Sequence, residues 1–297
     1  MTLSTELSRR LGLRYPIVCA PMFLISNKEM IVACAEAGIL GTMPSLNART
    51  ADQLRADLEW IRSKTDKPFA INVTLALSDP ERREQDIALC EAFEVPVWLT
   101  SYGNPTEAVA RAHAKGGIVF HDVIHRRHAR KAASAGVDGL IAVSSGAGGH
   151  AGRISPYVLI PYLAQETGLP ILAAGCISTG KQLVASFALG AELAYMGTRF
   201  IASTECGAVD AYKQMVVDAG PEDIVYTDAV SGVHANFLAA TVPDGHTPDR
   251  SPEGAKRWRD IWSAGQGVAE IDDVRPIEEI VETLVREYHD ALSGLPG

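Results

Sequence analysis

GLIAVSSGAGGHAGR, residues 139–153, runs from five apolar positions straight into four glycines grouped around one histidine. How that junction is read decides the fold. GLIAV is apolar at every position, not at alternate ones, so a strand here is covered on both faces, as in a parallel sheet packed under helices. The glycines satisfy G-x-G-x-x-A over 146–151, the fingerprint of a dinucleotide-binding βαβ unit. That unit needs a helix to open at once and an acid at the tip of the next strand. Gly152 and Pro156 delay the helix, and the next apolar run, PILAAG (170–175), ends without an acid. What remains is a side-chain-poor loop at the end of a buried strand, with His150 as the ionisable side chain of its turn.

Working outward, the same alternation of a short apolar run and a longer helical pattern occurs along the chain. YPIVCA precedes 27–37, ILGTM precedes 50–64, FAINV precedes 79–92 and VPVWLTS precedes 105–115. GIVFH precedes 125–135, GLIAVS precedes 156–167, PILAAG precedes 180–189, and LAYMG precedes a helix from about 203. Gly38, Gly136, Gly168 and Gly190 stand where helices should stop; Asn27, Ser78 and Thr179 or Gly180 stand near where they should start. Eight right-handed βα units close most economically as a (β/α)8 TIM barrel, with an open doubly wound sheet as the weaker alternative. The barrel is expected over 1–218. The polar stretch TVPDGHTPDRSPEGAKRWRD (241–260) breaks the pattern, so 219–297 is expected to form a C-terminal extension packed on the barrel. It closes with a helix, 276–293, whose Ile277, Ile280, Val281, Leu284 and Val285 share one face.

A net charge of -9 excludes a surface built for nucleic acid or anionic membrane, since either needs concentrated Lys and Arg. With 47% hydrophobic and 21% charged residues, the chain can bury a large core. No run approaches the roughly 18 apolar residues of a membrane span, and a cytoplasmic location is expected. The five cysteines are widely spaced and never form CxxC, which suggests buried thiols, not a disulfide framework or zinc site. HDVIHRRHARK (121–131) offers histidines at helical spacing, but its interleaved arginines would repel a cation; His125 and His128 read as a solvated helix face, and no metal is expected.

A barrel places its active site at the C-terminal ends of its strands. Two such ends, AAGCIST (173–179) and YMGTRF (195–200), are glycine-bearing turns on consecutive units, the usual place for a phosphate held by bare backbone N–H groups. Gly175, Cys176, Gly197 and Thr198 fit that role. His150, near neutral at pH 7, can accept or donate a proton. Phe23, Tyr102 and His121 also end or follow strands and are candidates for the substrate pocket. The SAGQG segment (263–267) reads equally as a return to the site or as a surface turn.

CAPM, INV, GAGGHAG, ILAAGCIS, ALGAELAYMGTRF and SAGQG together resemble the nitronate monooxygenases, formerly called 2-nitropropane dioxygenases, over roughly residues 14–270. The resemblance implies an FMN-binding barrel. It implies that Ala20, Pro21, Met22 and Asn72 border the isoalloxazine, with Gly148 and Gly149 in the loop beside it. Gly175, Cys176, Met196, Gly197 and Thr198 would hold the phosphate and ribityl chain, and His150 would be the base. The sequence departs from the pattern at Cys176, where a second glycine is usual, and at Gly146, where an acid is frequent. Val143 and Tyr195 replace glutamines that often contact the cofactor.

The activity implied is oxidation of nitronates or nitroalkanes by O2 to a carbonyl compound and nitrite. The alternative within the group is an NAD(P)H-dependent reductase of quinones or enoyl thioesters. An alternative of another class is a flavin-free barrel acting on a phosphate ligand. Partners are expected to be small molecules, with a homodimer the default for such barrels.

Overall fold

A computed structural model describes residues 3–76, 79–243 and 260–295. The apolar runs of the sequence form β1 (Ile17–Cys19), β2 (Leu40–Pro44), β3 (Phe69–Thr74), β4 (Val97–Ser101), β5 (Ile118–Val123), β6 (Gly139–Val143), β8 (Ile171–Ala174) and β9 (Leu193–Met196). They pair in parallel in that order, and β9 returns to β1. This closed (β/α)8 barrel excludes the open sheet. An additional two-residue strand, β7 (Gly149–His150), lies inside the glycine loop itself, where the sequence offered only a turn.

The helices are α1 (Glu6–Arg10), α2 (Lys28–Ala37), α3 (Ala51–Lys64), α4 (Pro80–Ala92), α5 (Thr106–Ala114), α6 (Arg126–Ser134), α7 (Pro156–Thr167) and α8 (Gly180–Ala188). Side chains of Asn27 and Thr50 accept from the first-turn N–H groups of α2 and α3, satisfying donors a helix start leaves orphaned. For α4 the cap is Asp79, which accepts from Glu81 and Arg82 N–H; the expected Ser78 lies outside the described residues. His125 precedes α6 as its cap, with Nδ1 accepting from the His128 N–H, so it is not on the helix face the spacing suggested. Beyond β9 the single helix expected from about 203 is two: α9 (Thr198–Ile201) and α10 (Asp210–Asp218).

Because strand residues alternate between faces, each strand contributes one set to the lumen and one to the helix layer. Val18, Leu40, Ala70, Val97, Leu99, Phe120, Ile141, Leu172 and Leu193 fill the lumen. Val119 and Val123 pack outward with Ala129 and Ala132 of α6. On β5 this phase sends Phe120 and Asp122 inward and His121 outward.

The chain after β9 does two things. β10 (Ile224–Thr227) and β11 (Ala235–Leu238) join β7 in a small antiparallel sheet ordered β10-β11-β7. The closing helix α11 (Ile277–Ser293) packs between α8 and α2 and completes the ring around the barrel. Gly180 lets α8 approach it: a Cβ there would lie 2.2 Å from the Tyr288 nitrogen. Most of the polar stretch 241–260 lies outside the described residues. Among the described residues, no helix is long and apolar enough to cross a membrane.

Candidate active site

The loop after β6 works at both ends. Its first part, 144–148, lies against the turns after β8 and β9. A Cβ on Gly175 would meet Ser144 Oγ at 2.6 Å, and one on Gly148 would meet Gly265 N at 2.9 Å and Thr198 Oγ1 at 3.2 Å. Its second part is β7, which pairs with β11 in the register Ala235↔His150 and Asn236↔Gly149. Asn236 Nδ2 donates to the Ala147 carbonyl at 2.7 Å and joins the two parts.

This pairing fixes His150. Its Nε2 lies 3.0 Å from Ser231 Oγ, and that hydroxyl donates its single proton to the Val233 carbonyl at 3.0 Å. With its proton on Nε2, the imidazole can donate to this hydroxyl. The Tyr102 ring meets the imidazole edge-on, with centroids 5.4 Å apart. Burial lowers the His150 pKa to about 4, because the charged form loses its water, so the ring is neutral at pH 7.

His150 shares a cavity of about 760 Å³ with Tyr102, His121, Asp122 and Val143. The cavity runs from the barrel mouth outward past His128, Arg130 and Lys131 of α6. His121 reaches it from the helix-facing side of β5, where Nδ1 is 2.8 Å from Thr100 Oγ1 and burial lowers its pKa to about 4. Asp122 enters from the lumen side, and burial raises its pKa to about 7.

The second grouping is the pair of turns. Gly175 has φ +114° and Cys176 φ +58°, so both sit in the left-handed region, which costs a non-glycine residue about 1–2 kcal/mol. Gly265 N–H donates to Thr198 Oγ1 at 3.0 Å and Gln266 N–H to the Gly146 carbonyl at 2.9 Å. SAGQG is therefore packed on the glycine loop and is not a surface turn. Ser178, just after the β8 turn, has a buried hydroxyl with no hydrogen-bond partner. Backbone turns stripped of side chains, with an unsatisfied hydroxyl beside them, fit an anionic group such as a phosphate.

The other expected residues divide between these groupings. Across the seam between β1 and β9, a Cβ on Gly197 would find Ala20 and Met22 no nearer than 3.8 Å, so the Ala20-Pro21-Met22 bend adjoins the Gly197 turn. Ala20 N–H donates to the Met196 carbonyl at 2.9 Å. Asn72 lies in the second half of β3 and donates from Nδ2 to the Leu99 carbonyl at 3.3 Å; Tyr195 packs against the lumen cluster. Phe23 stands 52% exposed beside the mouth and does not line the His150 cavity. Gly175, Cys176, Gly197 and Thr198 do not line it either; the glycine loop is what joins the two places.

The sequence pattern of the nitronate monooxygenase family matches residues 4–88 and 81–250. The chain belongs to the nitronate monooxygenase family. It is an oxidoreductase of that family, and it is 30% identical to the nitronate monooxygenase of Paraburkholderia phytofirmans over 82% of this chain and 79% of the relative. It is 31% identical to (3aS,4S,5R,7aS)-5-hydroxy-7a-methyl-1-oxo-octahydro-1H-indene-4-carboxyl-CoA dehydrogenase of Mycobacterium tuberculosis, over 80% of this chain and 67% of the relative. Over the equivalent dehydrogenase of Rhodococcus jostii it spans 66% of the length. The structure of FabK from Thermotoga maritima superposes with a TM-score of 0.86 at 29% identity, covering 98% of both chains.

Two departures from the nitronate monooxygenase pattern meet in space. A Cβ on Gly146 would lie 2.4 Å from Cys176 Sγ, so this member carries its side chain at 176 and none at 146. Sequence reasoning gave Asp122 no role, and it missed Ser231, Asn236 and Ser178. Strand β5 is apolar on both faces up to His121, which removes the alternation that would have told Asp122 from His121. Ser231 and Asn236 reach the loop through a pairing more than 80 residues away in sequence, for which no local signal exists.

Proposed function

We propose that this chain is an FMN-dependent oxidoreductase that oxidises nitroalkanes or alkyl nitronates with O2 to a carbonyl compound and nitrite, with His150 as the base. The observation that carries the proposal is the half-buried, neutral imidazole, held by Ser231 and by the β7–β11 pairing against the wall of the cavity. A neutral imidazole can take the α-proton of a nitroalkane: the C–H bond breaks, its electron pair moves toward the nitro oxygens, and the proton goes to the ring nitrogen.

FMN would be held by the backbone of Gly175, Cys176, Gly197 and Thr198 at its phosphate, a role supported by the unpartnered Ser178 hydroxyl. Met196 would hold the ribityl chain. Ala20, Pro21, Met22, Asn72, Val143, Gly148, Gly149 and Tyr195 would border the rest. When bound, FMN supplies the electron transfer; the protein supplies orientation, a water-poor wall and the proton acceptor.

The cavity's outward reach along Arg130, Lys131 and His128 favours a second reading. A small nitroalkane needs little of about 760 Å³, whereas a thioester with a long anionic tail would use that length and those cations. The carboxyl-CoA dehydrogenase among the relatives fits this reading. On such a substrate His150 would serve the same proton step, with FMN and NAD(P)H supplying the redox partners.

An anaerobic absorbance spectrum of the purified protein tests both. Bleaching of a bound flavin by ethylnitronate but not by NADH or NADPH supports the first reading; bleaching by NADH or NADPH alone supports the second. A colourless protein that takes up no added FMN defeats both. His150→Asn should lower turnover of neutral nitroethane by about 10²–10⁴-fold while sparing the preformed anion. Equal losses on the two substrates would remove the proton-abstraction role.

A further inference from the structure

Among the described residues, three buried side-chain polar atoms have no hydrogen-bond partner: Ser178 Oγ, Tyr102 OH and Asp122 Oδ1. The last two open on the same cavity as His150. Orphaned buried polar atoms are costly, and each in a native structure has a reason, a bound polar group among them. Two of them on one cavity, beside a candidate base, define a position for a polar group of the substrate.

The chemistry of the pair says which group. Tyr102 is buried against Asp122, and both burial and that neighbour raise its pKa, so it remains an O–H donor. Asp122 lies at the lumen end of β5, and its surroundings offer no compensating cation: burial alone accounts for its shift. Tyr102 from the β4–α5 loop, Tyr195 from β9 and His150 from β7 face this region, the first two as phenols that feel Asp122. The cations of the cavity, Arg130 and Lys131, belong to α6, and His121, His128 and His234 also line it. A protonated carboxyl and a phenol lining one cavity are two donors without an acceptor partner, a combination suited to stabilising an oxyanion.

We propose that Tyr102 and Asp122 form an oxyanion-binding pair, which receives the oxygen that gains negative charge when His150 removes the neighbouring carbon-bound proton. Atoms and electrons balance within this step: the C–H pair becomes a C=N or C=C bond, and the displaced π pair settles on the nitro or carbonyl oxygen. The proton settles on the imidazole. The pair therefore selects substrates in which the acidic carbon is attached directly to a nitro or carbonyl group, and it serves either reading of the function. The inference rests on the His150 cavity being the active site.

The probe is 2,4-dinitrophenolate, an oxyanion that stays ionised from about pH 6 to about pH 9, titrated calorimetrically into the purified holoprotein. Wild type should bind it, with affinity falling as pH rises through about 7, where Asp122 loses its proton and begins to repel the anion. Tyr102→Phe should weaken binding roughly tenfold or more at about pH 6, as loss of a hydrogen bond to a charged group does. Asp122→Asn keeps a donor, so it should bind within a few-fold of wild type at about pH 6 and lose the pH dependence; Asp122→Leu should bind more weakly at every pH.

The proposal is overturned if wild type binds no phenolate, or if Tyr102→Phe and Asp122→Leu leave affinity unchanged. It also fails if Asp122→Asn keeps the wild-type pH slope or binds more tightly at about pH 6. His150→Asn should leave phenolate affinity within a few-fold of wild type. Turnover with failed binding therefore rejects the pair alone, and intact binding without turnover of nitroalkane or thioester rejects the proposed function alone.

Discussion

One cause, loss of water around the charged form, shifts both His150 and Asp122 toward their neutral forms, acting on a base and on an acid. The base is held below its ordinary value, at about 4, and the acid above, at about 7. With His150 as the proposed base, which accepts a proton only when neutral, activity should appear as pH rises through about 4. With Asp122 as the proposed donor, which donates only when protonated, activity should fade as pH rises through about 7. A pH profile of kcat/KM should therefore be bell-shaped with limbs near those values, and Asp122→Asn should flatten the alkaline limb alone. An unchanged alkaline limb in that variant would assign it to another group. Position 146 allows a second test. Gly146→Ala forces a Cβ to within 2.4 Å of Cys176 Sγ at a φ of +78°, and should lower the urea midpoint. Adding Cys176→Gly removes the closer contact and leaves that with the flexible Gln266 Oε1 at 2.8 Å, so the double variant should recover roughly 1–3 kcal/mol relative to the sum of the singles. His150 was legible from sequence because its neighbours have no side chains to compete with it. The Gly146–Cys176 exchange was visible only as two separate departures.

Two residues of β7 decide what the imidazole can do. Left as a loop, Gly149 and His150 could turn either way; paired with β11, they present the ring to Ser231 on one side and Tyr102 on the other. Asn236 holds the arrangement by bonding the Ala147 carbonyl from a buried position, and Tyr226 OH donates to the Ala151 carbonyl at 2.9 Å. Asn236→Ala leaves the Ala147 carbonyl without this donor and should cost about 1–3 kcal/mol. Amide exchange should quicken across 146–151 and remain unchanged in the barrel strands. Equal acceleration in β3 and β4 would mean a global loss of stability and no local clamp. The barrel strands and most helix limits could be read from sequence, since continuous apolar runs and capping residues are local signals. A two-residue strand has no such signal, because its hydrogen bonds come from a partner 85 positions away.

At the scale of the whole molecule, the last helix belongs to the ring. Ile277, Ile280, Val281 and Leu284 of α11 are each at most 2% exposed and sit in the same core as the barrel's outer strand faces. Leu284→Ala should cost about 2–5 kcal/mol and lower the midpoint of a single unfolding transition. A separate early transition carrying only the last helix would show that the C-terminal segment folds by itself. The amphipathic stripe of α11 was plain in the sequence, but its place between α2 and α8 was not, because a stripe states that a face is buried and not against what. The sequence by itself determined the eight βα units, the side-chain-poor loop with its histidine and the glycine turns after β8 and β9. All of these are encoded by residue type within a few positions of one another. Only the tertiary structure decided that Asp122 faces the lumen while His121 faces the helices, that the imidazole is held by Ser231 and a distant strand, and that Tyr102 and Asp122 are left facing one cavity without partners. Those outcomes depend on the phase of strands that are apolar on both faces and on contacts between distant segments, and the chain acquires both only when the barrel closes.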